Sequence, residues 1–164
     1  MKNIILNHKQ IQNKIKRIAY QIYESNVEER HLVLAGIASN GYLLAKQLKK
    51  QLDEISDIEV TLCKVIVNKK NPLAPITTSL ISDQYQNKSV VLVDDVLNSG
   101  STLIYGVKHF LDVPLKQFKT AVLVDRNHKK FPIKADYKGL SLSTSLNEHV
   151  AVSLKAKNYE AFLE

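Results

Sequence analysis

Apolar residues recur along the 164-residue chain with two alternating periods, one near 3.6 and one that is short and continuous. Ile11, Ile15, Ile18, Ala19, Ile22 and Tyr23 fall at helical spacing within residues 8–25, with Lys9, Lys14, Lys16 and Arg17 on or beside the opposite face, which predicts a first amphipathic helix. His31–Gly36 (HLVLAG) reads as a buried strand, Ala38-Ser39-Asn40-Gly41 as a turn, and Leu44, Leu48 and Leu52 as the inner stripe of a second helix. Ile58–Val67 is rich in β-branched residues and predicts a second strand. Asn68–Thr78, with Pro72 and Pro75, predicts an exposed loop.

Ser89–Val93 (SVVLV) is continuously apolar, as in a central parallel strand covered on both faces. Ser101–Leu111 follows as a helix with Leu103, Ile104, Val107, Phe110 and Leu111 inward, then Phe118–Val124 and His149–Leu154 as strands. Strands alternating with helices predict an α/β fold with a mostly parallel sheet and right-handed crossovers. No linker interrupts the pattern, so one domain over 1–164 is expected.

The chemistry concentrates where the central strand ends. Val90-Val91-Leu92-Val93 runs into Asp94 and Asp95, then into Val96-Leu97-Asn98-Ser99-Gly100-Ser101-Thr102, where a helix begins. Ligands of open α/β sheets bind outside the carboxyl ends of the strands. A helix N-terminus leaves N–H groups unpaired and carries partial positive charge, which suits phosphate. Gly100 lets the backbone curl around an oxyanion, and Ser99, Ser101 and Thr102 add hydroxyl donors. Asp94 and Asp95 repel phosphate but accept from a diol, or hold Mg²⁺ through water. A phosphate cradle beside two diol acceptors describes a ribose 5-phosphate. The competing reading, a diacid that merely ends a strand and serines that merely cap a helix, accounts less well for the four features occurring in this order. The five glycines form neither G-x-x-x-x-G-K-[ST] nor G-x-G-x-x-G, which argues against a P-loop or a dinucleotide fold.

The net charge of +7 fits an anionic ligand or a nucleic acid. Residues 126–138 carry Arg126, Lys129, Lys130, Lys134 and Lys138 against Asp136 alone, either a solvated basic surface or an RNA-facing one. The single cysteine, Cys63, cannot form an internal disulfide, which with the missing apolar span of about 18 residues leads to the expectation of a cytoplasmic protein without membrane contact. His8, His31, His109 and His149 lack metal-ligand spacing and are expected to be structural, and Cys63, in a strand, is expected in the core and not as a nucleophile.

The Val90–Thr102 segment, four apolar residues, two acids and a loop ending in glycine, any residue and threonine, resembles the signature of the type I phosphoribosyltransferases. Ile11–Ser25, Gly36–Lys46, Ala121–Pro132 and Ser143-Thr144-Ser145 extend the similarity over most of the chain, towards the branch of that family that combines pyrimidine-operon regulation with uracil phosphoribosyltransferase activity. The resemblance implies that fold, with a small C-terminal hood, and a reaction in which a uracil-like base displaces pyrophosphate from phosphoribosyl pyrophosphate (PRPP) with Mg²⁺. It implies that Asp94 and Asp95 hold the ribose hydroxyls and the metal, Val96 to Thr102 (Val96, Leu97, Asn98, Ser99, Gly100, Ser101, Thr102) the 5-phosphate, and Ala38, Ser39, Asn40 and Gly41 the pyrophosphate. The segment from Asp125 to about Ser145 is then the hood, with Arg126, His128 and Lys129 facing the base or RNA, in a dimer or higher oligomer. The chain departs from the family where pyrophosphate is held: Ala38-Ser39-Asn40-Gly41 stands for the usual Lys-Thr-Arg-Gly, and only Lys64, Lys69 and Lys70 supply charge near the shortened mobile loop. Asn98 and Ser101 replace a tyrosine and an arginine in the ribose loop. An alternative follows, a nucleotide-sensing, RNA-binding regulator with weak or lost catalysis.

Overall fold

The computed structural model describes residues 2–145, 148–155 and 157–164. In chain order the elements are β1 (Asn3–Leu6), α1 (His8–Glu24), β2 (His31–Ile37), α2 (Asn40–Ile55), β3 (Glu59–Ile66), β4 (Thr77–Thr78), α3 (Ser82–Tyr85), β5 (Ser89–Leu97), α4 (Ser101–Phe110), β6 (Gln117–Asp125), β7 (Tyr137–Ser141), β8 (Val150–Ser153) and β9 (Glu160–Leu163). The first helix starts where a capping box closes it. The Asn7 side chain accepts from the Gln10 amide at 2.9 Å, and the Gln10 side chain accepts from the Asn7 amide at 2.9 Å. Arg17 leaves the solvent face expected for it and donates to the carbonyls of Lys138 and Gly139 on β7.

Six strands form the central sheet in the order β4-β3-β2-β5-β6-β7, all parallel except β4, which runs antiparallel to β3. Alternate residues of each strand face opposite layers. Leu32, Leu34, Val91, Val93, Ala121 and Leu123 pack with the inner faces of α1 and α2. Val33, Ala35, Val90, Leu92 and Val122 pack on the other side with Leu103 and Phe110 of α4 and Tyr85 of α3. Both faces of β5 are therefore covered, which is why its sequence shows no polar alternation. The expected α/β fold, a mostly parallel sheet flanked by helices, is what the chain adopts.

Two expectations are corrected. His149–Leu154 does not extend the parallel sheet: its strand, β8, joins β9 and β1 in a separate antiparallel sheet of order β1-β9-β8, made from both ends of the chain. The Asp125–Ser145 segment does not form a hood as a whole either, because Tyr137–Ser141 is the edge strand of the central sheet, paired with β6. The small sheet, not that segment, stands over the cleft through Val150–Val152. Among the described residues no helix is long and apolar enough to cross a membrane.

Candidate functional site

The order of the sheet creates the site. From β2 the chain crosses through α2 to β3 on one side, and from β5 it crosses through α4 to β6 on the other. The loops after β2 and β5 thus diverge, leaving a crevice at the carboxyl ends of the two strands. A cleft of about 350 Å³ lies there, lined by Asn40, Lys69, the whole of Asp94–Thr102, and His149–Val152 of the small sheet.

Strand β5 is longer than expected. Its pairing with β2 stops at Val93, opposite Gly36, but its pairing with β6 continues to Leu97, opposite Asp125. Asp94 and Asp95 consequently sit within the ladder and not past its end. Asp94 keeps only 4% of its surface exposed. Burial, and next the charge of Asp95, push its carboxyl well above the ordinary range, against the pull of Lys69. Although the sequence places both acids where a ligand's diol could meet them, Asp94 is a buried wall of the cleft and Asp95 is the half-buried, accessible one. Asp94 Oδ1 accepts from the Asp95 amide and Asp95 Oδ1 from the Val96 amide, both at 2.9 Å.

Beyond Leu97 the backbone turns. Gly100 has φ +90°, the left-handed region that glycine enters without a Cβ penalty, and α4 starts at the next residue. The Ser101 amide donates to Ser99 Oγ at 3.3 Å. Among the described residues the amides of Asn98, Ser99, Gly100 and Thr102 have no protein acceptor. Four N–H groups without a protein acceptor thus belong to residues that line the cleft at the start of a ten-residue helix, an arrangement that can bind a phosphate dianion. The loop is braced from behind, where the Ser99 carbonyl accepts from the Lys130 and Phe131 amides at 2.8 and 3.1 Å.

Of the turn residues Ala38, Ser39, Asn40 and Gly41, only Asn40 lines the cleft. Its Nδ2 donates to Asp95 Oδ2 at 3.1 Å and to the Val152 carbonyl at 2.9 Å, tying α2 to β5 and to the small sheet, while Oδ1 is buried without a partner among the described residues. Ala38 donates to the Val65 carbonyl at 2.8 Å, and Ser39 is exposed. Gly41 works by absence: a Cβ there would lie 2.7 Å from the Val93 carbonyl oxygen and 2.9 Å from Asp94 Cα, so α2 could not press against β5 beside the acids.

Arg126 is not a surface cation. It is 7% exposed, and its guanidinium donates to Asn98 Oδ1, Thr144 Oγ1, the Ser145 carbonyl and, at 2.6 Å, the Glu148 carbonyl. It braces the phosphate loop against the segment leading to β8 and is unavailable to RNA. His128 is half-buried and Lys129 exposed, with the Lys129 ammonium 3.9 Å from Asp125; neither lines the cleft. Sequence reasoning passed over His149 and Val150–Val152 as cleft residues. Their only local signal was the in–out alternation of Val150 and Val152, and their position over the cleft depends on pairing between the two chain termini.

No three His, Cys, Asp or Glu side chains converge among the described residues. Two acids suit Mg²⁺ only as that ion usually binds, through water with one or two carboxylates and the oxygens of a phosphorylated ligand. His8 is structural, accepting from the Tyr159 amide at 2.9 Å through Nδ1. Cys63 is buried in the core, where desolvation raises its thiol pKa.

The phosphoribosyl transferase domain family matches residues 1–157. The chain is 34% identical over 158 residues to the bifunctional protein PyrR of Clostridioides difficile, covering 92% of this chain and 89% of that protein. It is 34% identical over 163 residues to the bifunctional protein PyrR of Bacillus subtilis, covering 93% and 90%. Among solved structures, it superposes on a hypoxanthine-guanine phosphoribosyltransferase of Bacillus anthracis with a TM-score of 0.80 at 21% identity, covering 100% of this chain and 98% of the other. The hypoxanthine phosphoribosyltransferase of Trypanosoma cruzi gives 0.76 at 21% identity, covering 90% and 84%.

Proposed function

The chain belongs to the phosphoribosyl transferase domain family, and from that premise we propose that it works as one domain transferring ribose 5-phosphate from PRPP to a nucleobase of the uracil type. The observation that carries the reading is the set of unpaired amides at Asn98, Ser99, Gly100 and Thr102 beside the accessible Asp95. The 5-phosphate lies in the amide cradle, where the N-terminus of α4 and the hydroxyls of Ser99, Ser101 and Thr102 complement its charge. Asp95 accepts from the ribose diol, and Asp94 behind it supplies a second acceptor. In the transfer the C1–O bond breaks with its electron pair going to pyrophosphate, a C1–N bond forms to the base, and the base's N–H proton passes to solvent. Mg²⁺, when bound, would be held by Asp95 and Asp94 and would supply charge neutralisation for the diphosphate. The chain's own contribution is positioning: two fixed ends of the sugar present C1 to a base entering beneath Val150–Val152. The test is incubation with PRPP, Mg²⁺ and a panel of bases. The reading expects a monophosphate with uracil, and no product from any base refutes it.

A second reading, a nucleotide-responsive RNA-binding regulator, is supported by the net charge of +7 and by exposed Lys129, Lys130, Lys134 and Lys138 on neighbouring loops and the edge strand. Three of the four lie within 4 Å of a carboxylate: Lys129 and Lys138 beside Asp125, and Lys134 beside Asp136. Lys130 is therefore the best-placed phosphate contact of the group. RNA affinity should fall steeply with salt through counterion release and should change when a uridine nucleotide fills the cleft. Affinity indifferent to both removes this reading.

A further inference from the structure

We propose that Asn40 is a positioning residue that sets selectivity for ribose over 2-deoxyribose in this cleft, its amide fixing the Asp95 carboxylate for the sugar's diol. The inference rests on the reading of the cleft as a ribose 5-phosphate site. Three observations carry it.

The first is how Asp95 is held. Its Oδ1 accepts from the Val96 amide at 2.9 Å and its Oδ2 from Asn40 Nδ2 at 3.1 Å. Among the described residues Asn40 is the one side chain that donates to it. The Val96 contact is local and fixes one oxygen. The Asn40 contact supplies the second point and so fixes the rotation of the carboxylate. Each oxygen keeps a further lone pair for a ligand hydroxyl. A neutral donor orients the group without cancelling its charge, so a hydroxyl there makes the stronger, charge-assisted kind of bond.

The second is that Asn40 is itself fixed. It opens α2, and Gly41 beside it lets that helix approach β5 more closely than any Cβ would permit. The second amide hydrogen of Asn40 goes to the Val152 carbonyl at 2.9 Å. Val152 lies on β8, the edge strand of the small sheet, whose outward carbonyls need partners from elsewhere. Turning the amide over would set Oδ1 against the Asp95 carboxylate and the Val152 carbonyl, two acceptors, so Nδ2 must face them. Asp95 is thus braced through Asn40 against both a helix and the small sheet.

The third is a local violation. With Nδ2 so committed, Oδ1 is buried with no donor among the described residues. A buried acceptor without a partner lowers stability, and such violations concentrate at functional sites. An apolar side chain at position 40 would avoid the orphan but could not hold Asp95. The effect is confined to one end of the cleft. Among the described residues the cradle amides of Asn98, Ser99, Gly100 and Thr102 share no hydrogen bond with Asn40. Loss of the Asn40 amide therefore frees the carboxylate to rotate, and the hydroxyl that distinguishes ribose from 2-deoxyribose loses its partner while the phosphate keeps its own.

The experiment titrates wild type, Asn40→Ala and Asn40→Asp by calorimetry with three probes: inorganic phosphate, ribose 5-phosphate and 2-deoxyribose 5-phosphate. Asn40→Asp keeps the shape and suits the first turn of α2 but has no N–H, so it decides the matter should Asn40→Ala not fold. Wild type is expected to prefer ribose 5-phosphate to its 2-deoxy analogue about tenfold or more, the range for a hydrogen bond to a charged group. In both variants that preference should shrink to about threefold or less, through lost ribose 5-phosphate affinity, with inorganic phosphate bound as in wild type. A wild-type preference in either variant overturns the proposal. An equal loss for all three probes overturns it as well, since Asn40 then only holds the cleft together. If wild type shows no preference for ribose, or binds none of the probes, the reading of the cleft itself fails, and this inference with it.

Discussion

Replacing Gly100 with alanine probes the phosphate loop at its tightest point. The residue sits at φ +90°, where a Cβ costs roughly 1–2 kcal/mol. The added Cβ would lie 2.4 Å from Ile133 Cγ2, far inside van der Waals contact, and also 3.6 Å from Phe131 Cβ and from its carbonyl oxygen. Relieving such an overlap in a packed region costs about 1–3 kcal/mol. Together the two effects should destabilise the fold by about 2–5 kcal/mol, or lower Tm by roughly 4–20 °C for a chain of this size. A second substitution separates them. Ile133→Ala removes the colliding methyl, so the double mutant should regain the steric part, a coupling of about 1–3 kcal/mol, and keep the backbone penalty. Thermal unfolding of the four proteins measures this. Ribose 5-phosphate affinity should fall about tenfold or more in the single mutant, because a displaced amide forfeits a charge-assisted bond. Wild-type Tm and affinity in Gly100→Ala, or strict additivity with Ile133→Ala, would refute the reasoning.

Other expectations follow from the same geometry. Burial and the neighbouring Asp95 charge raise the pKa of Asp94, so the native state binds its proton more tightly than the unfolded chain. Stability then declines as pH rises from the ordinary carboxylate pKa through the raised one. Asp94→Asn should therefore raise Tm at pH 7, with the gain vanishing in acid, while weakening ribose binding; a lower Tm at pH 7 contradicts the burial argument. Asp95→Ala leaves the Val96 amide and one Asn40 amide hydrogen unpaired and should cost about 1–3 kcal/mol in urea unfolding, together with about tenfold or more in ribose 5-phosphate affinity read by calorimetry. Arg126→Ala leaves the Asn98, Thr144 and Glu148 acceptors unpaired and should cost about 2–4 kcal/mol in urea unfolding. Arg126→Lys should recover little of this, because an ammonium cannot reproduce the planar fork.

The layers of the molecule were legible because they obey local periodicity. The 3.6-residue stripe of α1 and the unbroken apolar runs of β2, β5 and β6 each report which faces are covered. The phosphate loop was legible because a helix start, a glycine and hydroxyls adjoin one another in sequence. What could not be read depends on distant partners. Asp94 is buried because β6 carries the ladder on past the point where β2 ends, a fact about three strands together. Arg126 reads as one more basic residue in a basic run, and only its acceptors 18–28 residues away make it internal. The small sheet escaped notice because β1 and β9 are four residues each and meet across almost the whole chain. Short strands without a neighbour in sequence leave little periodicity to detect.

Backbone amide NMR during a titration with ribose 5-phosphate bears most directly on what that loop does. The signals of Asn98, Ser99, Gly100 and Thr102 should move together and saturate with one ligand, with those at the far end of the sheet unmoved. Saturable binding that leaves these four amides undisturbed would contradict the account.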